Sequence, residues 1–324
     1  MGHATRSVPL IKQLAVSNKI IIGITAVNGW FFKQRFPEMI FETLPAYGVK
    51  YSSFLPAWLK VALQWPRIKR VVRQENALLA EIIARHGIDV VISDSRYGLY
   101  NASVFSVFIT HQLKLRLAGF SFFANKQNRK YLHRFDEIWV PDYEDKRKRL
   151  SGALSEATSI SKTVKFIGPQ SQFSVADKKN AEVQHTDILV ILSGVEPQRS
   201  ILEKLLFSSL RNSEAEIIFV RGSDKRAENS SENIGYFDFP SPEILRSLIV
   251  NAKTVICRGG YSTLMDLHLL EKKDLILIPT PGQTEQEYLA DYWKKNFGAR
   301  VIRQSQLETL GKEVLFKTHS HPVL

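Results

Sequence analysis

The chain has 324 residues, of which 44% are apolar and 23% are charged. This balance is typical of a folded protein and excludes a disordered one, and the length suits two domains of roughly 150 residues each. No apolar run approaches the ~18 residues that a membrane-spanning helix needs, and the N-terminal residues do not form a signal peptide. Because the one cysteine, Cys257, excludes an internal disulfide, we expect a cytosolic protein.

The net charge of +12 is concentrated in the first half of the chain. Residues 1–168 carry 25 Lys and Arg against 12 Asp and Glu, a surplus of 13, whereas residues 169–324 carry 19 against 20. A one-sided basic field favours an anionic partner such as nucleic acid, an anionic membrane surface or a phosphorylated substrate. A basic surface that is merely solvated is the alternative.

Short β-branched runs alternate with longer amphipathic segments along the whole chain. This pattern predicts an α/β fold with parallel sheets, helices on both faces, and ligand sites at the carboxyl ends of the strands. The predicted strands are residues 19–25, 88–93, 103–110, 137–140, 164–167, 187–192, 216–220, 254–257 and 274–279. The predicted helices are residues 8–15, 68–86, 197–210, 242–251, 262–270 and 285–296.

The domain boundary is predicted after the strand that ends at Gly168 and Pro169. The polar stretch that follows has no apolar period, which is typical of a linker. We therefore expect a first domain at residues 1–168, a linker at 169–184 and a second domain at 185–324.

A glycine pair in the second domain is the most informative motif. The apolar strand at 254–257 leads through Arg258 to Gly259 and Gly260, and a helix is predicted to begin at Ser262 or Thr263. Paired glycines let a phosphate approach the backbone, and a helix N-terminus favours an anion. Asp266, one turn into the helix, could bridge two ribose hydroxyls. The alternatives are a tight turn at the glycines and a capping box formed by Thr263 and Asp266.

The neighbouring strand, 274–279, ends in a Pro/Gly loop that enters another helix. Gln283 and Gln286 place amide side chains at the start of that helix. Carboxyl ends of neighbouring parallel strands share one sheet edge, so both loops are expected to offer polar groups to one crevice.

These segments resemble the C-terminal domain of the GT-B glycosyltransferases, in the branch of the peptidoglycan GlcNAc transferase that acts on an undecaprenyl-linked precursor. That branch has the pattern S-R-x-G-x-S-T-x-x-E, then a P-x-P loop and H-Q-x-x-N-A. The resemblance implies two Rossmann-like domains and a phosphate-side turn formed by Arg258, Gly260, Ser262 and Thr263. It further implies that Asp266 stands for the ribose-binding Glu and that Gln286 is the sugar-contacting Gln. Leu289 replaces the family's Asn.

The loop that follows the strand at 187–192 resembles the family's G-G-S-x-G loop, of which Gly194 is retained. Arg199, a few residues later, could neutralise a phosphate, or it could be a solvated helix arginine. Both residues are predicted on the donor side of the site.

In the first half, Gly2-His3 resembles the glycine-rich G-G-H loop that follows the family's first strand. An imidazole is suited to general-base catalysis because its pKa lies near neutrality. Asp94, at the end of the strand 88–93, is a second candidate base. His111 resembles the family's H-E-Q segment at the substrate cleft. Capping, or a satisfied polar residue at a strand end, is the alternative at each position.

Trp58 and Trp65 lie seven residues apart on one predicted helix face, followed by several cations. This composition suits a membrane interface with anionic headgroups. The alternative is a core helix followed by a basic surface helix.

The resemblance implies a hexosyltransferase that is metal-independent and inverting, uses a UDP-linked sugar and has His3 or Asp94 as its base. No Asp-x-Asp metal pair occurs in the sequence, and we expect no cofactor. The acceptor is left open, with a lipid- or membrane-linked molecule and a peripheral position on the cytoplasmic membrane face as one expectation. The alternatives are an enzyme similar to nucleotide-sugar 2-epimerases, whose H-R-R-E-N stretch is absent here, and a non-catalytic binding module. No nucleic-acid-binding signature is found.

The resemblance also implies that the first strand of the N-terminal sheet is missing. In this fold that strand is central and leads directly into the Gly-His loop, but here the loop is at residues 2 and 3. We expect either an apolar strand of about 6–8 residues upstream of Met1 or another segment in its place, because unpaired buried ladder groups are costly.

Overall fold

The computed structural model describes residues 2–47, 57–116, 121–157, 160–173, 186–223, 227 and 230–309, with only the backbone at 2, 3, 57–64, 308 and 309. The chain divides into two compact units, Met1–Gln172 and Phe173–Leu324. Most of the predicted linker, from residue 174 onward, lies outside the described residues.

The first unit contains two parallel sheets that alternate with helices along the chain. Its elements are α1 (Gly2–Leu14), β1 (Ile21–Ile24), α2 (Gly29–Arg35), β2 (Ile40–Thr43), α3 (Ala57–His86), β3 (Val90–Asp94), β4 (Phe105–Ile109), α4 (Ser121–Leu132), β5 (Glu137–Val140) and β6 (Thr163–Phe166). One sheet pairs β1 with β2, and the other has the order β3-β4-β5-β6. A short 3-10 helix, Gly152–Ser155, lies between β5 and β6.

The second unit contains one six-stranded parallel sheet with the order β12-β11-β10-β7-β8-β9. Its elements are β7 (Thr186–Ile191), α5 (Gln198–Leu210), β8 (Ile217–Val220), β9 (Ile234–Phe237), α6 (Pro242–Asn251), β10 (Ala252–Cys257), α7 (Tyr261–Leu269), β11 (Leu275–Leu277), α8 (Thr284–Phe297), β12 (Arg300–Val301) and a 3-10 helix (Gln304–Thr309). Every residue of β8 and β11 is buried, as expected for strands covered on both faces. The predicted parallel α/β fold is confirmed.

Three strands were not predicted, namely β2, β9 and β12. They are only two to four residues long, and β9 and β12 lie at the edges of their sheet, where a short run shows little apolar alternation. The helices α2 and α4 were also missed.

Two helices begin earlier than expected. α1 starts at Gly2 and not near residue 8, so the prediction that His3 lies in a loop before the helix is wrong. α3 is one continuous helix of 30 residues with Pro66 inside it, so its core and basic surface parts are not separate helices. No helix in the part of the chain that the structure describes is long and apolar enough to cross a membrane.

Candidate functional site

The glycine pair after β10 serves two different structural purposes. A Cβ on Gly259 would lie 2.9 Å from the backbone oxygen of Gln286, so glycine is needed there for α8 to pack closely. A Cβ on Gly260 would meet no atom within 4 Å. Gly260 is the N-cap of α7 and has no side-chain capping bond. The backbone at Gly260 therefore borders open space at a helix N-terminus, where an anion is favoured.

Polar side chains share one face of α7. Ser262, Thr263 and Asp266 are half-buried, and three- and four-residue spacings place them on the same side of the helix. The neighbouring Leu264 and Leu267 are fully buried in the core. Because the N-cap is Gly260, Thr263 lies inside the helix, and the capping-box interpretation of Thr263 and Asp266 is wrong.

Arg258 is buried directly beneath this turn, with 0% of its surface exposed. Its guanidinium donates to the backbone oxygens of Ile278 (3.1 Å) and Gln198 (3.0 Å) and to Oε1 of Gln304 (2.9 Å). It forms no ion pair with a carboxylate of the described residues, and its Nε has no hydrogen-bond partner there. Burial lowers the pKa of Arg258 to about 10, so it remains a cation at neutral pH.

The loop after β11 is held by side chains of α8. The backbone N–H of Thr280 donates to Oε1 of Gln286 (2.9 Å), and that of Gly282 donates to Oε1 of Glu287 (3.0 Å). Gln286, predicted to contact the sugar, thus uses its carbonyl oxygen inside the protein. Gln283 is the N-cap of α8, and its side chain makes no capping bond. Gln286 therefore stabilises the loop before α8, whereas Gln283 only precedes the helix.

Arg199 lies in a network of two buried arginines and three carboxylates near the carboxyl ends of β7 and β8. Its guanidinium donates to Glu196 (2.7 Å) and Glu203 (2.8 Å). Arg221, which the sequence analysis missed, bonds Glu203 and also Asp238 (2.7 Å). Arg199 is buried, so its interpretation as a solvated helix arginine is wrong. Its charge is already met by two carboxylates, which favours a structural role over phosphate binding.

Gly194 follows β7 in the same unit. Its φ of +106° is in the region that disfavours other residues, and a Cβ there would meet nothing within 4 Å. Gly194 is therefore explained by the backbone conformation of this loop.

In the first unit, Asp94 is bound by an arginine that the sequence analysis did not single out. Arg6 Nε donates to one carboxylate oxygen of Asp94 (2.8 Å), and its Nη2 donates to the other. Nη2 also donates to Oγ of Ser95 (3.1 Å), and Ser7 Oγ donates to Asp94 (3.4 Å). This forked pair fastens α1 to the carboxyl end of β3 and occupies both carboxylate oxygens of Asp94.

His111 belongs to the same cluster. Its Nδ1 lies 3.4 Å from Nη1 of Arg6. His3 lies one helical turn before Arg6 on α1, and its side chain is outside the described residues. The structure thus brings Asp94 and His111 together, with Arg6 between them.

Two other predicted features have clear structural roles. Cys257 is buried in β10, and burial raises the pKa of its thiol to about 12, which fits a core residue. Trp65 packs edge-on against Tyr131 of α4, with ring centroids 6.0 Å apart. The side chain of Trp58 lies outside the described residues. Within the described ranges, no group of three His, Cys, Asp or Glu side chains is arranged to hold a metal ion.

The contact between Trp65 and Tyr131 joins α3 to α4, and both helices expose cations. α4 also exposes two adjacent aromatic residues, Phe122 (81%) and Phe123 (48%), which the sequence analysis missed. Two phenylalanines in an otherwise polar helix were the signal that could have found them. We call this region the basic aromatic surface; it comprises Arg67, Lys69, Arg70, Arg73, Phe122, Phe123, Lys126 and Lys130.

Residues 198–321, which include the α7 turn, match the model of the glycosyltransferase family 28 C-terminal domain. The chain is a nucleotide-sugar-dependent glycosyltransferase. No curated protein sequence matches it.

Solved structures that are similar to the chain share its fold at low sequence identity. UGT89C1 of Arabidopsis thaliana, in complex with UDP-L-rhamnose, is 12% identical over 98% of this chain and 90% of its own, with a TM-score of 0.59. MurG of Acinetobacter baumannii is 12% identical over the same shares, with a TM-score of 0.54. CalG4, the calicheamicin glycosyltransferase, is 15% identical over 96% of this chain and 85% of its own, with a TM-score of 0.61. The likeness establishes the GT-B fold.

Proposed function

We propose that the chain transfers a hexose from a UDP-sugar to a hydroxyl group of a lipid- or membrane-linked acceptor, without a metal and with inversion. The observation that carries the donor half is the buried Arg258 beneath the open N-terminus of α7, which no carboxylate of the described residues neutralises. A diphosphate at Gly260 would meet both this cation and the positive end of the helix dipole. Such groups can replace a divalent ion in stabilising the leaving group.

Asp266 supplies the second part of the donor site. It lies one turn further along the same helix face as Ser262, at the distance expected between a diphosphate and its ribose. A carboxylate that accepts from two vicinal hydroxyls forms charge-assisted hydrogen bonds, which are stronger than neutral ones. The choice of uridine is supported by solved structures with the same fold, which hold UDP-L-rhamnose and UDP-2-fluoro-glucose.

The reaction needs a group that takes the acceptor proton. The acceptor oxygen attacks the anomeric carbon, the bond from that carbon to the β-phosphate oxygen breaks, and UDP leaves with the bonding electrons. Both oxygens of Asp94 are bound to Arg6, so Asp94 is better suited to hold α1 in place than to accept a proton. We therefore assign the base to His3, on the first turn of α1, and a positioning role to Asp94.

The acceptor is proposed from the surface of the first unit. The basic aromatic surface combines exposed phenylalanines with six cations, the composition that inserts at an interface and attracts anionic lipid. A lipid-linked acceptor would be presented at such a surface. The peptidoglycan branch is one candidate, although Leu289, which stands where that branch has Asn, is fully buried and cannot make the Asn contact.

Calorimetric titration with UDP, GDP and dTDP tests the donor assignment. We expect UDP to bind best and Asp266→Ala to weaken its binding by about 10- to 150-fold, the cost of losing a hydrogen bond to a charged acceptor. Asp291→Ala, which changes an exposed carboxylate in the middle of α8, is the matched control and should leave the affinity unchanged. Equal UDP affinity in wild type and Asp266→Ala would show that Asp266 does not contact the ribose.

Product analysis separates transfer from the alternatives. Incubation with UDP-GlcNAc and a lipid extract should release UDP only when an acceptor is present. Conversion of the sugar nucleotide to its 2-epimer would instead identify an epimerase. Tight binding with neither product, across a panel of UDP-hexoses and lipid extracts, would identify a non-catalytic binding protein.

Vesicle co-sedimentation tests the acceptor side. Binding to anionic vesicles should exceed binding to neutral ones, fall with added salt, and fall further in Phe122→Ser. Phe239→Ser, at an exposed phenylalanine of the second unit, is the control. Equal loss in the two variants would show that the basic aromatic surface has no special part in binding.

A further inference from the structure

A buried carboxylate of α3 lies close to the carboxyl edge of the first unit. Glu75 has 0% of its surface exposed and lies beyond the middle of the helix. Its Oε1 accepts from Nε of Arg96 (2.5 Å), and its Oε2 accepts from the hydroxyl of Tyr47 (2.6 Å) and from the backbone N–H of Gly98 (3.2 Å). A buried charge is costly unless it is paired and hydrogen-bonded, and Glu75 meets both conditions.

These partners belong to the segments that follow β2 and β3. Arg96 lies in the turn at the end of β3, and we call residues 94–98 the β3 turn. Tyr47 lies a few residues after β2, and the guanidinium of Arg96 stacks over its ring, 5.1 Å from the centroid. Nη2 of Arg96 also donates to the backbone oxygen of Pro45. Glu75 therefore connects α3 with the segments at the carboxyl ends of two strands.

α3 lies too close to the β3 turn for any side chain at Gly98. A Cβ there would lie 2.5 Å from the backbone oxygen of Val72 and 2.6 Å from Oε2 of Glu75. Asn76, the next residue of α3, donates from Nδ2 to the backbone oxygens of Gly98 (3.2 Å) and Tyr100 (2.6 Å). The helix thus fixes the second half of the β3 turn by close packing and by hydrogen bonds.

The first half of the β3 turn holds α1. Arg6 of α1 donates to both carboxylate oxygens of Asp94 and to Oγ of Ser95 (3.1 Å). Ser95 has a φ of +59°, a backbone conformation that residues with a side chain rarely adopt. Such a conformation persists only where the surrounding structure maintains it.

Arg96, the residue after Ser95, is fixed at its backbone and at its side chain. Its carbonyl oxygen accepts from Oγ of Ser93 (2.6 Å), and its guanidinium is bound to Glu75. A change of Ser95 to a negative φ would therefore move Arg96 away from Glu75 or Asp94 away from α1.

We propose that Glu75 is a positioning residue for the transfer reaction. Through Arg96 it holds the β3 turn in the conformation in which Asp94 and Ser95 bind Arg6, and it thereby fixes the first turns of α1 at the carboxyl edge. The effect on turnover rests on the proposed function, because the base proposed there, His3, lies on α1. The effect on the β3 turn does not depend on that assignment.

Hydrogen exchange measures the effect on the β3 turn directly. The amide of Ser95 donates to Ile109 (3.1 Å), and that of Thr110, in the same sheet, donates to Trp139 (3.0 Å). In Glu75→Gln the amide of Ser95 should exchange about tenfold faster or more, and that of Thr110 should not. Equal acceleration at both amides would mean that Glu75 only stabilises the whole unit, and acceleration at neither would mean that the β3 turn does not need it. Either result overturns the proposal.

Glu42→Gln is the matched control, because Glu42 also pairs with α3. It accepts from Arg85 (2.8 Å) and lies 2.7 Å from Nε2 of His86, at the end of the helix. This variant removes a carboxylate of the same unit without touching the β3 turn, so exchange at Ser95 should not change. Acceleration at Ser95 equal to that in Glu75→Gln would show that any loosening of α3 has this effect, which would also overturn the proposal.

Arg96→Lys is a milder variant in case Glu75→Gln does not fold. It keeps a countercharge for Glu75 but loses the planar group of donors that also binds Pro45. Exchange at Ser95 should again be accelerated relative to Thr110. Exchange at the wild-type rate in this variant would overturn the role given to Arg96.

Turnover compared with donor affinity tests the link to catalysis. In Glu75→Gln, kcat for UDP release from UDP-GlcNAc with a lipid extract should fall by about 10- to 100-fold, the usual cost of a small misplacement. The affinity for UDP, measured by calorimetry, should not change. A wild-type kcat together with fast exchange at Ser95 would overturn the positioning role. Absence of turnover in the wild type would contradict the proposed function, and exchange at Ser95 would still decide whether Glu75 holds the β3 turn.

Discussion

Two buried arginines, one in each unit, lie at the carboxyl edges of parallel sheets. They differ in whether a carboxylate of the described residues neutralises the guanidinium. Arg6 meets a carboxylate with both arms of its guanidinium, so its charge is neutralised inside the protein. Among the described residues, Arg258 bonds two backbone oxygens and one amide oxygen and no carboxylate, and burial lowers its pKa. Burying a cation without a carboxylate is costly.

The difference indicates what each cation is for. The Arg6–Asp94 pair joins a helix to a sheet and therefore stabilises the fold. The charge of Arg258 is not offset by any carboxylate of the described residues, and the Gly260 turn above it borders open space. A bound diphosphate would complete the neutralisation that the protein omits. The comparison therefore favours a structural role for the first cation and supports the donor-binding role proposed for the second.

The largest expected effect concerns His3, which is left as the base if Asp94 is structural. His3→Gln should lower kcat by about 10²–10⁴-fold, the usual contribution of a positioned base, with little change in the thermal stability or in the affinity for UDP. UDP release in the presence of acceptor measures kcat, and calorimetry measures the affinity. Full activity in His3→Gln would exclude His3 as the base and make His111 the next candidate.

Asp94→Asn tests the structural assignment of the first cation. Breaking a buried pair leaves Arg6 without its countercharge, and we expect the free energy of unfolding to fall by about 3–5 kcal/mol. Urea unfolding measures this change. The double variant Arg6→Met with Asp94→Leu removes both charges and should recover much of the loss. A stable Asp94→Asn protein that has lost only its turnover would make Asp94 a base after all.

The parts of these sites that could be predicted from the sequence are those whose residues lie close together along the chain. The α7 turn could be predicted because Gly259, Gly260 and Asp266 lie within eight residues and follow an apolar strand. The partner of Asp94 could not, because Arg6 lies 88 residues away and nothing in the local pattern pairs them. The burial of Arg258 was equally hidden, since arginine is rarely buried and its partners come from three other segments.

The fold shows the same division. β5, whose three apolar and aromatic residues follow Glu137 and are bounded by turns, was predicted with its observed bounds, Glu137–Val140. β12 has two residues, Arg300 and Val301, and becomes a strand only because β11 lies beside it. Tertiary pairing, and not local propensity, determines such short strands.

Arg258→Met tests the second cation and should weaken only the binding of the phosphates. Affinity for UDP should fall by about 10- to 150-fold, the equivalent of 1.5–3 kcal/mol for a charged hydrogen bond, while affinity for uridine stays unchanged. Arg258→Lys keeps the charge without the fork of donors and should retain part of the difference. Parallel loss of UDP and uridine binding would mean that Arg258 only maintains the shape of the turn.

The smallest expected effect distinguishes the two glycines above Arg258. Gly260→Ala places a methyl group in open space, so stability should hardly change, but the methyl would obstruct a phosphate and lower UDP affinity by about 5-fold, or ~1 kcal/mol. Gly259→Ala forces Cβ to within 2.9 Å of the Gln286 backbone, and it should lower stability by about 1–3 kcal/mol as α8 moves away. If the diphosphate lies at Gly260, UDP titration should show the loss of affinity in Gly260→Ala, and thermal unfolding should show the loss of stability in Gly259→Ala. If Gly260→Ala binds UDP as well as wild type does, the diphosphate does not approach this turn, and the unneutralised charge of Arg258 then needs another explanation.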